Sequence, residues 1–368
     1  MKILVYDIAA SKSGALSVLE GFYNQVKTSN SNIEWTFLLS TPKLPETENI
    51  RVLRFPWVKK NILYRLYFEN VYVQKLLKET SYDLVLSLQN IRLKRTKLKQ
   101  IIYVHQAIPF SDYSLKDESI FHRLYLEVIK KRIFSSINKA DRIIFQNHWM
   151  KNQCVKQLGV NSSRISVARL SHNIPITYYR GNNYLNYRNV FFYPATAEMK
   201  YKNHMVVLEA GKILEEQGYN NYKIIFTIRE DENKYTNQLF KYSLEHNLNV
   251  DFIGFINKNE VFEYYLNSTL IFPSFVETVG LPLLEAKELL APIIASDYQY
   301  AKDTLGDYSN VAYFDPKSAV ELSEIMKTII TTDPTPFSKT KYSKKSNKRP
   351  MTILEIVLEN LKSEGEEK

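Results

Sequence analysis

The stretch Phe272–Asp297 reads FPSFVETVGLPLLEAKELLAPIIASD, and the order of its residue types decides the fold. The apolar run Leu270–Phe272 is a buried strand in pattern. It ends in a polar loop carrying Glu277, Thr278 and Gly280. Pro282 then stands in the first turn of a helix, where a missing N–H costs nothing, and Ile293–Ala295 starts the next strand. Strand, loop, helix and strand in that order are the repeat of a parallel α/β sheet. At the helix start the backbone N–H groups of Val279, Gly280 and Leu281 lack intrahelical acceptors. Together with the helix dipole they form a cradle for a diphosphate, and Gly280 lets the backbone come close to it. Glu277 lies on the loop. Glu285, after seven intervening residues, lies about one turn into the helix. A carboxylate accepts two hydroxyl hydrogen bonds at once, which suits the vicinal diol of a sugar or a ribose.

The same alternation extends in both directions. Before residue 173 the strand candidates are Lys2–Asp7, Trp35–Leu39, Asp83–Ser87, Ile101–His105, Arg142–Gln146 and Ile165–Ala168. Helical stretches Ala15–Thr28, Ile62–Glu79 and Ile120–Asn138 fall between them. The segment Asn173–Arg188, rich in Asn, Tyr, Gly and Pro, breaks the pattern. It restarts with strands Val190–Tyr193, Lys223–Thr227, Asp251–Ile253, Leu270–Phe272, Ile293–Ala295 and Ala312–Phe314. The helices between these are Asn203–Gln217, Lys234–His246, Asn259–Asn267, Pro282–Leu290 and Ala319–Ile330. Thr331–Pro350 is a polar, Lys-rich connector, and Met351–Lys362 an amphipathic terminal helix. A chain of 368 residues exceeds the usual size of a single core. We therefore expect an N-terminal α/β domain over 1–175, a C-terminal one over 176–340, and a connector with a helix over 341–368.

Composition excludes several classes. The single cysteine, Cys154, permits no intrachain disulfide and no cysteine metal cluster, as expected of a reducing compartment. The opening MKILVYDIAASKSG reads as a first core strand and not as a signal peptide. No stretch reaches the roughly 18 apolar residues of a membrane span, so we expect a cytoplasmic protein. The ten glycines form neither a dinucleotide-binding nor an ATP phosphate-loop motif. There is no Asp-x-Asp, and we expect no metal and no cofactor.

The segment PSFVETVGLPLLEA, with Glu277 and Glu285 in Glu-x7-Glu spacing, resembles the donor motif of the retaining glycosyltransferases of family four. The resemblance implies a GT-B fold: two Rossmann-like domains with parallel sheets facing across a cleft, and a C-terminal helix packing back toward the N-terminal domain. It also implies that Glu277 contacts the hydroxyls of the donor sugar and Glu285 the nucleotide ribose, with Thr278 in the donor-binding loop. FYPATAEMKYKNHMVVLEA, residues 191–209, resembles the family's first C-terminal strand and helix. There Lys202 matches the lysine that neutralises the donor diphosphate; its alternative is an ordinary surface lysine. Many relatives place an arginine near Thr196 or Ala197. This chain has none, leaving Lys200 or Arg229 as substitutes. Gly254 and Phe255 resemble the turn that holds the nucleotide base. In the N-terminal half Gly14 resembles the family's glycine loop. His105 matches a histidine near the reacting sugar or else is a structural residue, and Asn147 lines the same place or is a turn amide. Relatives usually have Gly-x-Pro where this chain has Leu290-Ala291-Pro292.

The net charge of +10 is uneven. Residues 1–172 carry 27 Lys and Arg against 13 Asp and Glu, whereas the remainder is acidic by four. The basic residues gather in Arg92–Lys99 (RLKRTKLK), Trp57–Lys60 and Ile120–Asn138, the last two interleaved with aromatic and aliphatic residues. Such surfaces meet anionic membranes. The expected partners are a nucleotide-sugar donor, a glycan acceptor linked to a lipid, and the inner face of a membrane. Two other readings stay open. One is a GT-B epimerase or hydrolase acting on the nucleotide sugar. The other is a non-catalytic protein that binds an anionic polymer, although no specific nucleic-acid motif occurs.

Overall fold

The computed structural model describes residues 1–11, 13–113, 120–168, 189–332 and 351–362. The break Asn173–Arg188 and nearly all of the Thr331–Pro350 connector lie outside the described residues. The chain divides into two compact units, residues 1–172 with 347–368 and residues 173–346.

The first unit is built on seven strands: β1 Lys2–Asp7, β2 Glu34–Leu39, β3 Ile50–Arg54, β4 Leu84–Ser87, β5 Lys99–Val104, β6 Arg142–Phe145 and β7 Ile165–Val167. Their order is β3-β2-β1-β4-β5-β6-β7 and every pairing is parallel. A parallel sheet is covered on both faces, so its strands are apolar throughout and alternate side chains enter different cores. Ile3 and Val5 of β1 join one cluster, and Leu4 and Tyr6 join the other. The first cluster is closed by α1 (Ser13–Lys27) and by a helix from the far end of the chain, Ile353–Lys362. That terminal helix buries Ile353, Leu354, Ile356 and Val357. At roughly 1.5–3 kcal/mol for each buried aliphatic side chain, the contact anchors it on the N-terminal unit, as the fold expectation required. The Leu354 N–H also donates to Gln25 Oε1 at 3.3 Å.

The second face is covered by a helix expected to run unbroken over Ile62–Glu79. It is instead α2 (Ile62–Tyr67), a π turn over Phe68–Tyr72, and α3 (Val73–Glu79). The extra residue of a π turn shifts the helical register. Here it accompanies full burial of Phe68, which packs on Phe55 and Tyr72. α4 (Ile120–Lys139) and α5 (His148–Leu158) complete the unit.

The second unit has six parallel strands: β8 Val190–Tyr193, β9 Lys223–Phe226, β10 Val250–Phe252, β11 Thr269–Phe272, β12 Ile293–Ser296 and β13 Val311–Phe314. Their order is β10-β9-β8-β11-β12-β13. The helices are α6 His204–Glu216, α7 Lys234–Glu245, α8 Lys258–Asn267, α9 Leu281–Glu288, α10 Gln299–Leu305 and α11 Ala319–Thr331, so Ile353–Lys362 is α12. Strand order reverses between β8 and β11. In open α/β sheets ligands bind beyond the carboxyl ends of the strands at such a switch point. The loops leaving β8 and β11 carry Lys202 and Glu277.

Candidate active site

Those two loops are tied to each other by hydrogen bonds. The Phe275 N–H donates to Tyr201 O at 2.8 Å, and Asn203 Nδ2 donates to Pro273 O at 3.2 Å and to Pro316 O at 2.8 Å. Asn203 takes a left-handed φ of 59° as the cap of α6, a conformation asparagine tolerates better than most residues. The hydroxyl of Tyr193, at the end of β8, donates to Lys202 O at 2.8 Å. This scaffold fixes the Lys202 side chain, whose ammonium forms an ion pair with Glu277 Oε1. Ser274 Oγ donates to the same carboxylate oxygen at 3.1 Å. Burial works against the Lys202 charge, but the adjacent Glu277 carboxylate outweighs it and holds the pKa above the ordinary lysine value. Lys202 is therefore a cation although partly buried.

Gly280 precedes α9 with φ 72°. A Cβ there would lie 3.1 Å from Phe272 Cε1 and 3.2 Å from Leu283 Cδ1, so both the dihedral and the space call for glycine. Leu281 and Pro282 open the helix, and Thr304 Oγ1 holds Val279 O at 2.6 Å. Thr278 stands between Glu277 and Val279 on this loop. The far end of α9 turns through Leu290, which has φ 60°. Asn310 Nδ2 donates to its carbonyl at 3.1 Å.

Glu285 is 3% exposed, and both of its oxygens have partners. Lys258 forms an ion pair with Oε1 and the Tyr265 hydroxyl donates to Oε2 at 3.3 Å. Neither partner stood out in the sequence. They lie on α8, 27 and 20 residues before Glu285, and no local motif marks them. The one available signal is the helix start itself: Asn257 and Glu260 form a capping box that fixes Lys258 in the first turn. Gly254, with φ 72°, lies against Arg229; a Cβ there would be 2.8 Å from Arg229 Nε. The neighbouring Phe255 is 91% exposed, an open aromatic face.

Glu277, Lys202, Glu285, Gly280, Val279, Leu281, Thr278, Gly254, Phe255 and Arg229 all belong to the second unit. His105, Gly14 and Asn147 belong to the first. His105 follows β5. Its N–H donates to Asn90 Oδ1 at 2.7 Å, Asn90 Nδ2 lies 3.3 Å from its Nε2, and its ring stacks on Tyr103. Burial lowers its pKa to about 4, so the ring is neutral near pH 7. Gly14 lies in the first turn of α1, with nothing within 4 Å of the Cβ position. Asn147 caps α5, its side-chain oxygen accepting the Met150 N–H at 3.3 Å. Among the described residues no group of three or more His, Cys, Asp or Glu side chains forms a metal cluster, and no helix is long and apolar enough to cross a membrane.

Family models match both units. The one described as glycosyl transferases group 1 covers residues 182–348, and the one described as glycosyltransferase family 4 covers residues 33–169. The chain belongs to the family-four glycosyltransferases. No curated protein matches this glycosyltransferase in sequence. Among solved structures it resembles WaaG, a glycosyltransferase involved in lipopolysaccharide biosynthesis, with TM-score 0.65 and 16% identity over 91% of this chain and 92% of that one. It also resembles Anabaena HepE in complex with UDP-glucose, with TM-score 0.61 and 15% identity over 90% of each chain. A third is the lipopolysaccharide outer core galactosyltransferase WaaB in its apo form, with TM-score 0.62 and 18% identity over 90% of each. At these identities the likeness is one of fold, and that fold is GT-B.

Proposed function

We propose that this glycosyltransferase moves a hexose from a nucleoside-diphosphate sugar to a lipid-linked glycan acceptor, with retention of the anomeric configuration and without a metal ion. One observation carries the donor half of the reading. At the switch point of the second sheet, a charged lysine is held by a carboxylate that also accepts from a serine, beside the start of a helix whose glycine keeps the backbone open. The leaving group is a nucleotide diphosphate anion. The Lys202 ammonium and the free N–H groups before α9 offset its growing charge, acting from fixed positions. Glu277, pinned at Oε1, keeps an oxygen for the sugar hydroxyls. Glu285 accepts from the ribose, with Lys258 giving way. The base rests against the Gly254–Phe255 turn beside Arg229. Because the arginine of many relatives is missing, Lys200 or Arg229 supplies the second cation. In the first unit we assign His105, neutral and held by Asn90, a role near the reacting sugar, with Gly14 in the first turn of α1 and Asn147 at the cap of α5 as further candidates.

HepE binds UDP and UDP-glucose, which supports a donor of that class. WaaG is involved in lipopolysaccharide biosynthesis and WaaB is a lipopolysaccharide outer core galactosyltransferase; with the basic first unit, they support a lipid-linked acceptor and favour a cytoplasmic enzyme at the inner face of a membrane. Thermal shift with UDP-, GDP- and dTDP-sugars tests the donor half, because a ligand of the native state raises stability by mass action. One of these sugars is expected to raise Tm in the wild type and not in Glu285→Ala. A panel with no shift, or a shift that survives in the variant, overturns it. Activity unchanged by a metal chelator, and a product anomer matching the donor, test the remaining terms.

A further inference from the structure

Large apolar side chains are exposed in two places on the first unit. On α2 and the π turn, Ile62, Leu63, Tyr64, Leu66, Tyr67 and Val71 are each 44–70% exposed. On α4, Ile120, Leu124, Tyr125 and Val128 are 57–66% exposed. The second set follows one helical stripe, at spacings of four, five and eight from Ile120. Its next position, Arg132, reaches across to the first set: Arg132 Nη2 pairs with Glu69 Oε2 at 3.3 Å, while Arg65 Nε pairs with Oε1 at 3.0 Å. Glu69, largely buried, thus links the two helices.

Charge indicates what covers them. The stretches Lys59–Tyr72 and Ile120–Lys139 contain eight Lys and Arg against two Glu, and Glu69 is already neutralised by its two arginines. Apolar and aromatic side chains set among lysines and arginines complement an anionic lipid interface: the rings and aliphatic chains enter the headgroup boundary and the cations stay with the phosphates. A protein partner or a second copy bearing these same residues would have to bury that excess positive charge.

We propose that α2 with its π turn and α4 form a bilayer-docking face, held as one unit by Glu69, which inserts Leu63, Tyr67, Leu124 and Tyr125 into the interface of a membrane containing anionic lipid. This goes beyond a basic patch, because the apolar ridge makes part of the attachment insensitive to salt. It extends the proposed reading from the acceptor to the surface that presents it.

The test is flotation of the full chain with phosphatidylglycerol–phosphatidylcholine vesicles and with pure phosphatidylcholine vesicles. Binding is expected to be strong to the anionic vesicles and weak but measurable to phosphatidylcholine alone. A measurable part should persist at about 1 M salt, where the Debye length is about 3 Å. Leu63→Glu combined with Leu124→Glu should lower the bound fraction at least tenfold, and Lys130→Gln with Lys131→Gln should weaken only low-salt binding. Equal flotation of the leucine variant overturns the proposal, as does loss of all wild-type binding at high salt. A dimer by light scattering that the leucine variant dissolves, without vesicle binding, assigns the face to a second copy and also overturns it. Melting of the same variants with the UDP-, GDP- and dTDP-sugars separates the two readings: flotation as expected with no nucleotide-sugar shift in any protein refutes the donor reading alone.

Discussion

Lys258 neutralises Glu285 from another helix, leaving a carboxylate that is almost fully buried with an ion-pair partner that is half in solvent. The asymmetry makes Lys258 the mobile member of the pair and Tyr265, which is buried, the fixed one. Lys258→Met strands a buried charge on one hydrogen bond, at a cost of about 1–3 kcal/mol. Glu285→Gln removes the need for the ammonium. Adding it to Lys258→Met is expected to recover most of the loss, a coupling of at least about 1 kcal/mol in a double-mutant cycle read by urea unfolding. Additive losses would show that the pair is incidental.

Lys202 is the cation best placed against a departing diphosphate. Lys202→Met is expected to lower kcat by about 10²–10³-fold, the range for removing one preorganised charge-stabilising group, with a smaller change in donor KM. Steady-state kinetics with the nucleotide sugar identified by thermal shift check it. A large rise in KM at unchanged kcat would make Lys202 a ground-state binding residue instead.

Two glycines give opposite expectations. Gly280→Ala forces an alanine into a left-handed conformation and against Phe272 and Leu283, so Tm should fall by the equivalent of about 1–2 kcal/mol. At Gly14 the helix is regular and the space is open, so Gly14→Ala should stabilise by about 0.5–1 kcal/mol. If a substrate needs the open space at Gly14, that variant melts higher but turns over more slowly. A rise in Tm with full activity would take Gly14 out of the site.

These residues also mark how far the sequence could be read. Nearly every strand was legible because parallel strands are continuous apolar runs. β3, IRVLR, escaped because it is an edge strand with only Ile50 fully buried. α5 and α10 escaped because each is short and buries only a few side chains. The π turn was illegible, since ILYRLYFENVYVQKLLKE carries a helical pattern throughout and the break is set by how Phe68 packs. In the site, Glu277 and Glu285 share one local segment and could be read together, with Lys202 found through its own motif. Lys258 and Tyr265 could not, because tertiary packing alone brings them to Glu285. Leu290 stands where the resembling family usually carries glycine, and only the structure shows that the position has a left-handed dihedral.

Asp7, at the end of β1, gives a pH dependence. Burial pushes its pKa up to about 7, opposed by the hydrogen bond from the Ala10 N–H and by the nearby charge of Lys59. In the unfolded chain the carboxyl ionises near 3.8. Between those values the folded chain holds a proton that the unfolded chain has lost, so stability falls as pH rises from about 4 to about 7, and the loss is complete above that. Asp7→Asn can keep the Ala10 hydrogen bond through its amide oxygen and cannot ionise. Its fixed cost or gain from the new amide group is independent of pH. Relative to the wild type, the variant should therefore gain stability between pH 5 and pH 8, by up to a few kcal/mol at 1.36 kcal/mol per pKa unit. Melting curves of both proteins at the two pH values check it. Parallel changes in Tm would mean that Asp7 is already ionised in the folded chain, held so by Lys59.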